Sequence, residues 1–444
     1  MTEITLSDLD KFDKNFNADS KNEIVMRSVF KNGIFPSSLA LGSEVQDQHT
    51  FSIEILAGDI TNQKKSGRCW MFSALNVMRR EVMKNLNLKT VELSQSYPLF
   101  FDKLEKSNYF LENIIETKGE PVEGRVVTFL LTDPLGDGGQ WDMFANLVRK
   151  YGVVPKQYMK ESFSSSETRA MDDVITTKLR EFATVLRDAA KNGESVSDLR
   201  NRKDEMMNTI YRMLCISLGK PPVNFTFEFN DKDGKFVRLD TMTPVEFYEK
   251  YVKTDLDETI SLINSPTADK PFNKTYTVQF LGNVVGGKDV MYLNLTIDEL
   301  KQAALNQLKD GKAVWFGSDI GKCADRESGV MDMNIHNLEG IFSTHFGLTK
   351  EQRLDFNDSR MNHAMVINGV NLDENGKPNR WKVENSWGDV PGEKGFFVMS
   401  DSWFDQFVYQ IVVEKKYLSK EQQNLLAQSP LVLQPWDPMG SLAL

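Results

Sequence analysis

The chain opens on roughly 55 residues of mixed helical and loop pattern, with apolar positions at helical spacing over 8–16. The pattern sharpens at DITNQKKSGRCWMFSALNVMRREVMKNL. Its first part is polar and holds Gly67, a turn signal. From Cys69 onward Met71, Leu75, Met78 and Val82 recur at helical spacing, which predicts that Cys69 sits where a loop becomes a helix. A second helix is expected over 93–110. A glycine-rich loop at 136–139 leads into a third, which should end near Gly152 ahead of Pro155.

Between about 160 and 285 the texture changes. Residues 167–218 are charged and rich in helix formers, and 222–280 alternate like strands around NFTFEF, with a turn at Asp233 and Gly234. Compact alternation returns after 290. LTIDELKQAALNQLKDG reads as a helix ending at Gly311 and AVWFGSDI as a buried strand. AMVINGVNLDENGKPNRWKVENSW reads as a hairpin turning at DENGKP, and GFFVMSDSWF and FVYQIVVEKKYL as two more strands. The proline-bearing tail SPLVLQPWDPMGSLAL is expected to be extended and irregular. The pattern predicts an α+β protein in five segments: an N-terminal arm (1–55), a helical lobe with Cys69 (56–160), an inserted subdomain (161–285), a β-rich lobe with His363 and Asn385 (286–418) and a C-terminal arm (419–444).

Composition narrows the function more than the fold. The 444 residues carry a formal net charge of -10, against a broad nucleic-acid-binding or anionic-membrane surface, both of which need clustered Lys and Arg. No run of 18 apolar residues occurs, so no transmembrane helix is expected. The acidic, polar N-terminus does not read as a signal peptide. Three widely spaced cysteines, Cys69, Cys215 and Cys323, argue against a disulfide framework and for a reducing, cytoplasmic setting. His336 and His345, with Asp332 nearby, fit no familiar metal site.

A cysteine nucleophile needs a thiolate near neutral pH. A helix N-terminus and a neighbouring imidazolium together supply one. Cys69 has the first by pattern. His363, entering the apolar run NHAMVINGV, is the candidate for the second. Asn385, in VENSWGD at the end of the next run, would lie beside it if the two runs pair. Its side chain can accept a hydrogen bond from the ring nitrogen facing away from sulfur, under the cover of Trp387. Gln63, six residues before Cys69, can join the Cys69 backbone N–H in binding an oxyanion.

QKKSGRCWMFSALN resembles the nucleophile segment of papain-like cysteine peptidases, with Ser66 where that family carries the first Cys of Cys-Gly-Ser-Cys-Trp. GDGGQWDMFANLVRKYGVV, NHAMVINGV and ENSWGDVPGEKGFFVMS resemble the family's Gly-Gly, His and Asn segments, in the same order. His363 and Asn385 follow Cys69 by 294 and 316 residues, against about 130–150 in the family template, and the excess matches the segment 161–285. With SGRCWMF, HAMV, KVENSWG and WDPMG, the chain resembles the bleomycin hydrolase / aminopeptidase C branch. That resemblance implies a two-lobed papain-like fold, a triad of Cys69, His363 and Asn385 with Gln63 at the oxyanion, and no cofactor. It implies that Gly138 and Gly139 offer backbone groups to peptide substrates. It also implies a homohexamer with inward-facing sites, and a C-terminal arm whose terminal carboxylate pairs with a substrate's free α-amino group. The ending Gly440-Ser441-Leu442-Ala443-Leu444 departs from the branch's Gly-Ala-Leu-Ala. Two readings stay open: Leu444 is trimmed and Ala443 is the anion, or the arm is shifted and the enzyme cleaves inside peptides.

Overall fold

The computed structural model describes residues 1–40 and 48–443. Its architecture is α+β. One lobe is built on three helices, Cys69–Asn85, Ser96–Glu116 and Trp141–Tyr151. In the first of these Trp70, Met71, Ala74, Leu75, Met78 and Val82 are all buried, because one side of the helix meets its own lobe and the other meets the sheet. Ser73 Oγ donates to the Ala364 carbonyl at 2.8 Å, stitching the helix to the strand His363–Leu372. The charged stretch after 160 forms two long helices, Arg169–Lys191 and Val196–Leu218, packed on Ser96–Glu116. Ser195 opens the second with a reciprocal cap to Asp198.

Among the described residues the main sheet has twelve strands. Val314–Ser318 lies between His363–Leu372 and Val408–Glu414, antiparallel to both. Beyond His363–Leu372 come Pro378–Glu384 and then Phe396–Ser400. The hairpin turns at the expected place, where Asp373 Oδ1 accepts from the backbone N–H groups of Asn375 and Lys377, and Gly376 takes φ +76°.

Two elements differ from expectation. GFFVMSDSWF is not one strand: Phe396–Ser400 ends where Ser400 Oγ accepts from the Trp403 N–H and starts the helix Asp401–Phe407. The tail is extended as expected but less irregular: it carries the strand Leu431–Leu433 and a 3-10 turn over Pro438–Ala443, and the helix Lys420–Leu425 precedes it. Leu431–Leu433 gains its strand by pairing with Lys274–Val278, a partner remote in sequence. Lys274–Val278 and Thr259–Ile263 both join the main sheet, so part of the segment 161–285 is continuous with the β-rich lobe.

Candidate active site

The Cys69 helix starts without a side-chain cap, since Arg68 supplies none, so its first N–H groups and its dipole face the thiol. Arg68 turns away and pairs with Glu161 at 2.8 Å. Across the lobe boundary, register decides what the thiol meets. Val366 pairs with Glu384, so Asn385, one residue beyond the strand, comes back level with the start of His363–Leu372. His363 Nε2 and Asn385 Oδ1 are 2.8 Å apart. The Trp387 ring lies 4.7 Å from the imidazole at an interplanar angle of 31°. Ser73, just after Cys69 on its helix, donates to the carbonyl of Ala364, next to His363, so the start of that helix lies against the start of the histidine strand.

Gln63 is fixed from both sides. Its backbone N–H donates to the Ser386 carbonyl at 2.8 Å. Its Oε1 accepts from Ser386 Oγ at 2.7 Å and its Nε2 donates to the Ser66 carbonyl at 2.7 Å. These contacts orient the amide so that Nε2 faces the Cys69 loop with a second hydrogen still to give. His363, Asn385, Trp387 and Gln63 are thus linked at the lobe boundary, and the helix that Cys69 opens packs on the strand that His363 opens.

Gly138 and Gly139 lie on the other wall. A Cβ on Gly139 would sit 2.5 Å from the Trp70 ring, and one on Gly138 would sit 2.3 Å from the Leu442 carbonyl oxygen. Only glycine fits either position. What occupies this wall is the chain's own end. The Gly139 N–H donates to the Leu442 carbonyl at 3.0 Å, Ala443 packs over Gly138, and Ser441 Oγ donates to the Met361 carbonyl at 2.8 Å. Farther back, Tyr292 and Gln140 donate to the Met439 carbonyl, Lys270 pairs with Asp437, and Arg125 stacks on Trp436. Leu444 lies outside the described residues.

Under this cover the electrostatics favour neutral groups. Burial pushes the Cys69 thiol up to about 11, against backbone hydrogen bonds from Ala364 and Trp70 that pull it down. Burial likewise pushes the His363 imidazole down to about 4. The Asn385 hydrogen bond opposes that shift and the Arg326 charge adds to it.

Several supporting residues were not legible as functional. Asp137 accepts from the Gly67 N–H at 2.8 Å and from Thr168 Oγ1, while its carbonyl accepts from Trp70 Nε1 at 2.7 Å. It thereby ties the glycine-rich loop to the Cys69 turn. Lys103 bridges Asp137 and Asp172, and Lys106 donates to the Gly136 and Gly138 carbonyls. Glu384 accepts ion pairs from Arg79 and Arg80 across the lobe boundary. A carboxylate between two glycines was the one available signal for Asp137. Nothing local marked the rest. His336 bonds Ser38 and His345 bonds Glu339, in separate places from this seam.

The Peptidase C1-like family model matches residues 3–440. The chain is 47% identical to Aminopeptidase C of Lactobacillus delbrueckii subsp. lactis over 444 residues, 99% of each chain. It is 47% identical to Aminopeptidase C of Listeria monocytogenes serovar 1/2a over 443 residues, the whole of both. It is 44% identical to human bleomycin hydrolase over 391 residues, 86% of each. Its fold superposes on the crystal structure of pepw from Lactobacillus rhamnosis with a TM-score of 0.97, at 48% identity and 99% coverage of both chains. With that match along nearly its whole length, the chain belongs to the Peptidase C1-like family and is a cysteine peptidase of papain-like fold.

Proposed function

We propose that this cysteine peptidase is an aminopeptidase that removes residues from the free N-termini of peptides. Cys69, as thiolate, attacks the carbonyl of the first peptide bond. The Gln63 Nε2 and the Cys69 backbone N–H bind the oxyanion that forms. His363 gives its proton to the leaving amine, an acyl-enzyme remains on sulfur, and His363 then takes a proton from water to release the acid. Asn385 holds the ring in the orientation this exchange needs, and Trp387 shields their hydrogen bond. No metal or organic cofactor takes part.

One observation carries the exopeptidase reading: the arm occupies the glycine wall, with Leu442 bonded to the Gly139 N–H and Ala443 over Gly138. A peptide cannot run along a wall already filled, so only its first residue enters, with its ammonium facing the arm's terminal carboxylate. The same position argues against the endopeptidase alternative, which needs this wall open. The three free cysteines fit a reducing, cytoplasmic setting, and the exposed apolar helices of the N-terminal arm fit assembly into a homohexamer.

The test compares a free aminoacyl amide with its N-acetylated twin. The expected result is turnover of the first and at least a hundredfold loss on the second. A chain ended at Gly440 should regain cleavage of N-acetylated peptides. Equal rates on both amides in the full-length protein would overturn the aminopeptidase reading, and full activity in Cys69→Ser would overturn the thiol mechanism.

A further inference from the structure

We propose that Arg326 reads a carboxylate on the leaving side of the scissile bond, so that peptides with negative charge just after the first residue are preferred. The proposal rests on the peptidase reading and extends it to the half of the substrate that the arm does not govern.

The leaving amine must reach the His363 imidazole to be protonated, so the departing chain runs out of the cleft on that side, away from the glycine wall. The Trp387 indole lies there, 4.7 Å from the imidazole. The Arg326 guanidinium lies over the same indole, 4.5 Å from its centroid. Its charge is felt at His363, where it opposes protonation. An extended chain advances about 3.4 Å per residue, so the first one or two leaving residues come within reach of this cation.

The cation is held in place yet open. Its backbone lies in a tight turn: Asp325 Oδ2 accepts from the Ser328 N–H at 2.8 Å, and the Gly329 N–H donates to the Asp325 carbonyl at 3.0 Å. The turn packs on the loop that follows Trp387, where the Gly392 N–H donates to the Glu327 carbonyl at 3.0 Å. The side chain is exposed, and no carboxylate among the described residues lies within ion-pair distance of it. The Asp325 carboxylate is already engaged by Ser328. Stacking on an indole leaves the guanidinium edge free to grip a carboxylate with two N–H groups. The carboxylate has two sources: an acidic side chain in the leaving portion, or the free C-terminus of a dipeptide or tripeptide.

Four dipeptides with the same free N-terminal residue separate these sources. Their second residues are glutamate amide, glutamine amide, lysine amide and glutamine with a free C-terminal carboxylate. The readout is the ratio of kcat/KM values within one preparation, which is independent of the folded fraction. In the wild type, glutamate amide and the free acid should exceed glutamine amide by about two- to fivefold at low salt, the range of an exposed ion pair. Lysine amide should fall below it, and added salt should compress the spread. Arg326→Gln should bring the ratios together, Arg326→Lys should keep part of the spread, and Arg326→Glu should invert it toward lysine. A preference in only one anionic arm, lost in Arg326→Gln, names that source as the ligand. Identical ratios in wild type and Arg326→Gln would overturn the proposal while leaving the aminopeptidase reading standing. Charge discrimination that persists on N-acetylated versions of the same peptides would reject the aminopeptidase reading and leave Arg326 in its role.

Discussion

At the scale of single residues, the site places its reactive groups under cover. Burial lifts the Cys69 thiol to about 11 and lowers the His363 imidazole to about 4, and both shifts disfavour the thiolate–imidazolium pair that the proposed mechanism uses. The Asn385 hydrogen bond works the other way, because it stabilises the protonated ring. Asn385→Ala should therefore push the imidazole lower still and leave the ring free to turn. The acid limb of the kcat/KM profile should move to lower pH while kcat falls, and an unchanged profile would contradict the role assigned to Asn385. Gln63→Ala should cost about 10²–10³ in kcat, the usual value of one oxyanion donor, with little change in KM. Steady-state kinetics on an aminoacyl anilide checks both variants. Cys69, His363, Asn385 and Gln63 could be proposed from the sequence because each sits in a motif whose order along the chain survives a large insertion. Arg326 was not legible, because its meaning depends on a stacking partner 61 residues away.

At the scale of elements, the glycine-rich loop is held by a buried cluster in which two carboxylates share one ammonium. Asp137 also accepts from Gly67 and Thr168, so its carboxyl is held well below the ordinary range, although burial opposes this. Asp172 has no such donors, and burial raises its carboxyl to about 7 against the pull of Lys103. The two act on stability with opposite signs. The Asp137 contribution is present above the ordinary carboxylate pKa and is lost only as pH falls through its depressed folded value. Asp172 retains a proton in the native state that the unfolded chain has already lost, so stability declines as pH rises from about 4 to about 7. Asp172→Asn should remove that decline, by about 1.4 kcal/mol for each unit of raised pKa, so that denaturant midpoints at pH 5 and pH 7.5 draw together. Asp137→Asn should lower stability at both pH values. A pH gap in Asp172→Asn equal to that of the wild type would refute this account of the cluster. Here the sequence was half legible. It marked the loop and the helices but not the contacts between them, since Lys103, Asp137 and Asp172 come together only after the helix Arg169–Lys191 packs on Ser96–Glu116. The pairing of the tail was illegible for a similar reason: the extended Leu431–Leu433 becomes a strand against Lys274–Val278, and no local pattern encodes that partner.

At the scale of the molecule, the N-terminal arm presents an apolar surface that no described residue buries. The helices Leu6–Asn17 and Ser20–Asn32 contain no buried residue, and Leu6, Leu9, Phe12 and Phe16 recur at near-helical spacing on the first. On the second, Ile24, Met26 and Phe30 are exposed, Phe30 by 92%. An amphipathic helix with its apolar stripe in water is costly, and a second copy of the chain is the partner that the homohexamer reading supplies. Phe12→Glu combined with Phe30→Glu should place two charges in that stripe without touching the core of either lobe. Light scattering should then show a species smaller than the wild-type assembly, with an unchanged unfolding transition for the lobes. An unaltered mass would exclude these helices from the interface. The consequence for activity separates two kinds of selection. The arm that fills the glycine wall belongs to the same chain as Cys69, through Leu442 and Gly139. Selection for free N-termini should therefore survive dissociation, and N-acetylated peptides should stay uncleaved. In the proposed homohexamer, selection by size would depend instead on sites facing an enclosed channel. Peptides too long or too folded for that channel should become substrates once the assembly is broken, and they should still lose their residues one at a time from the N-terminus.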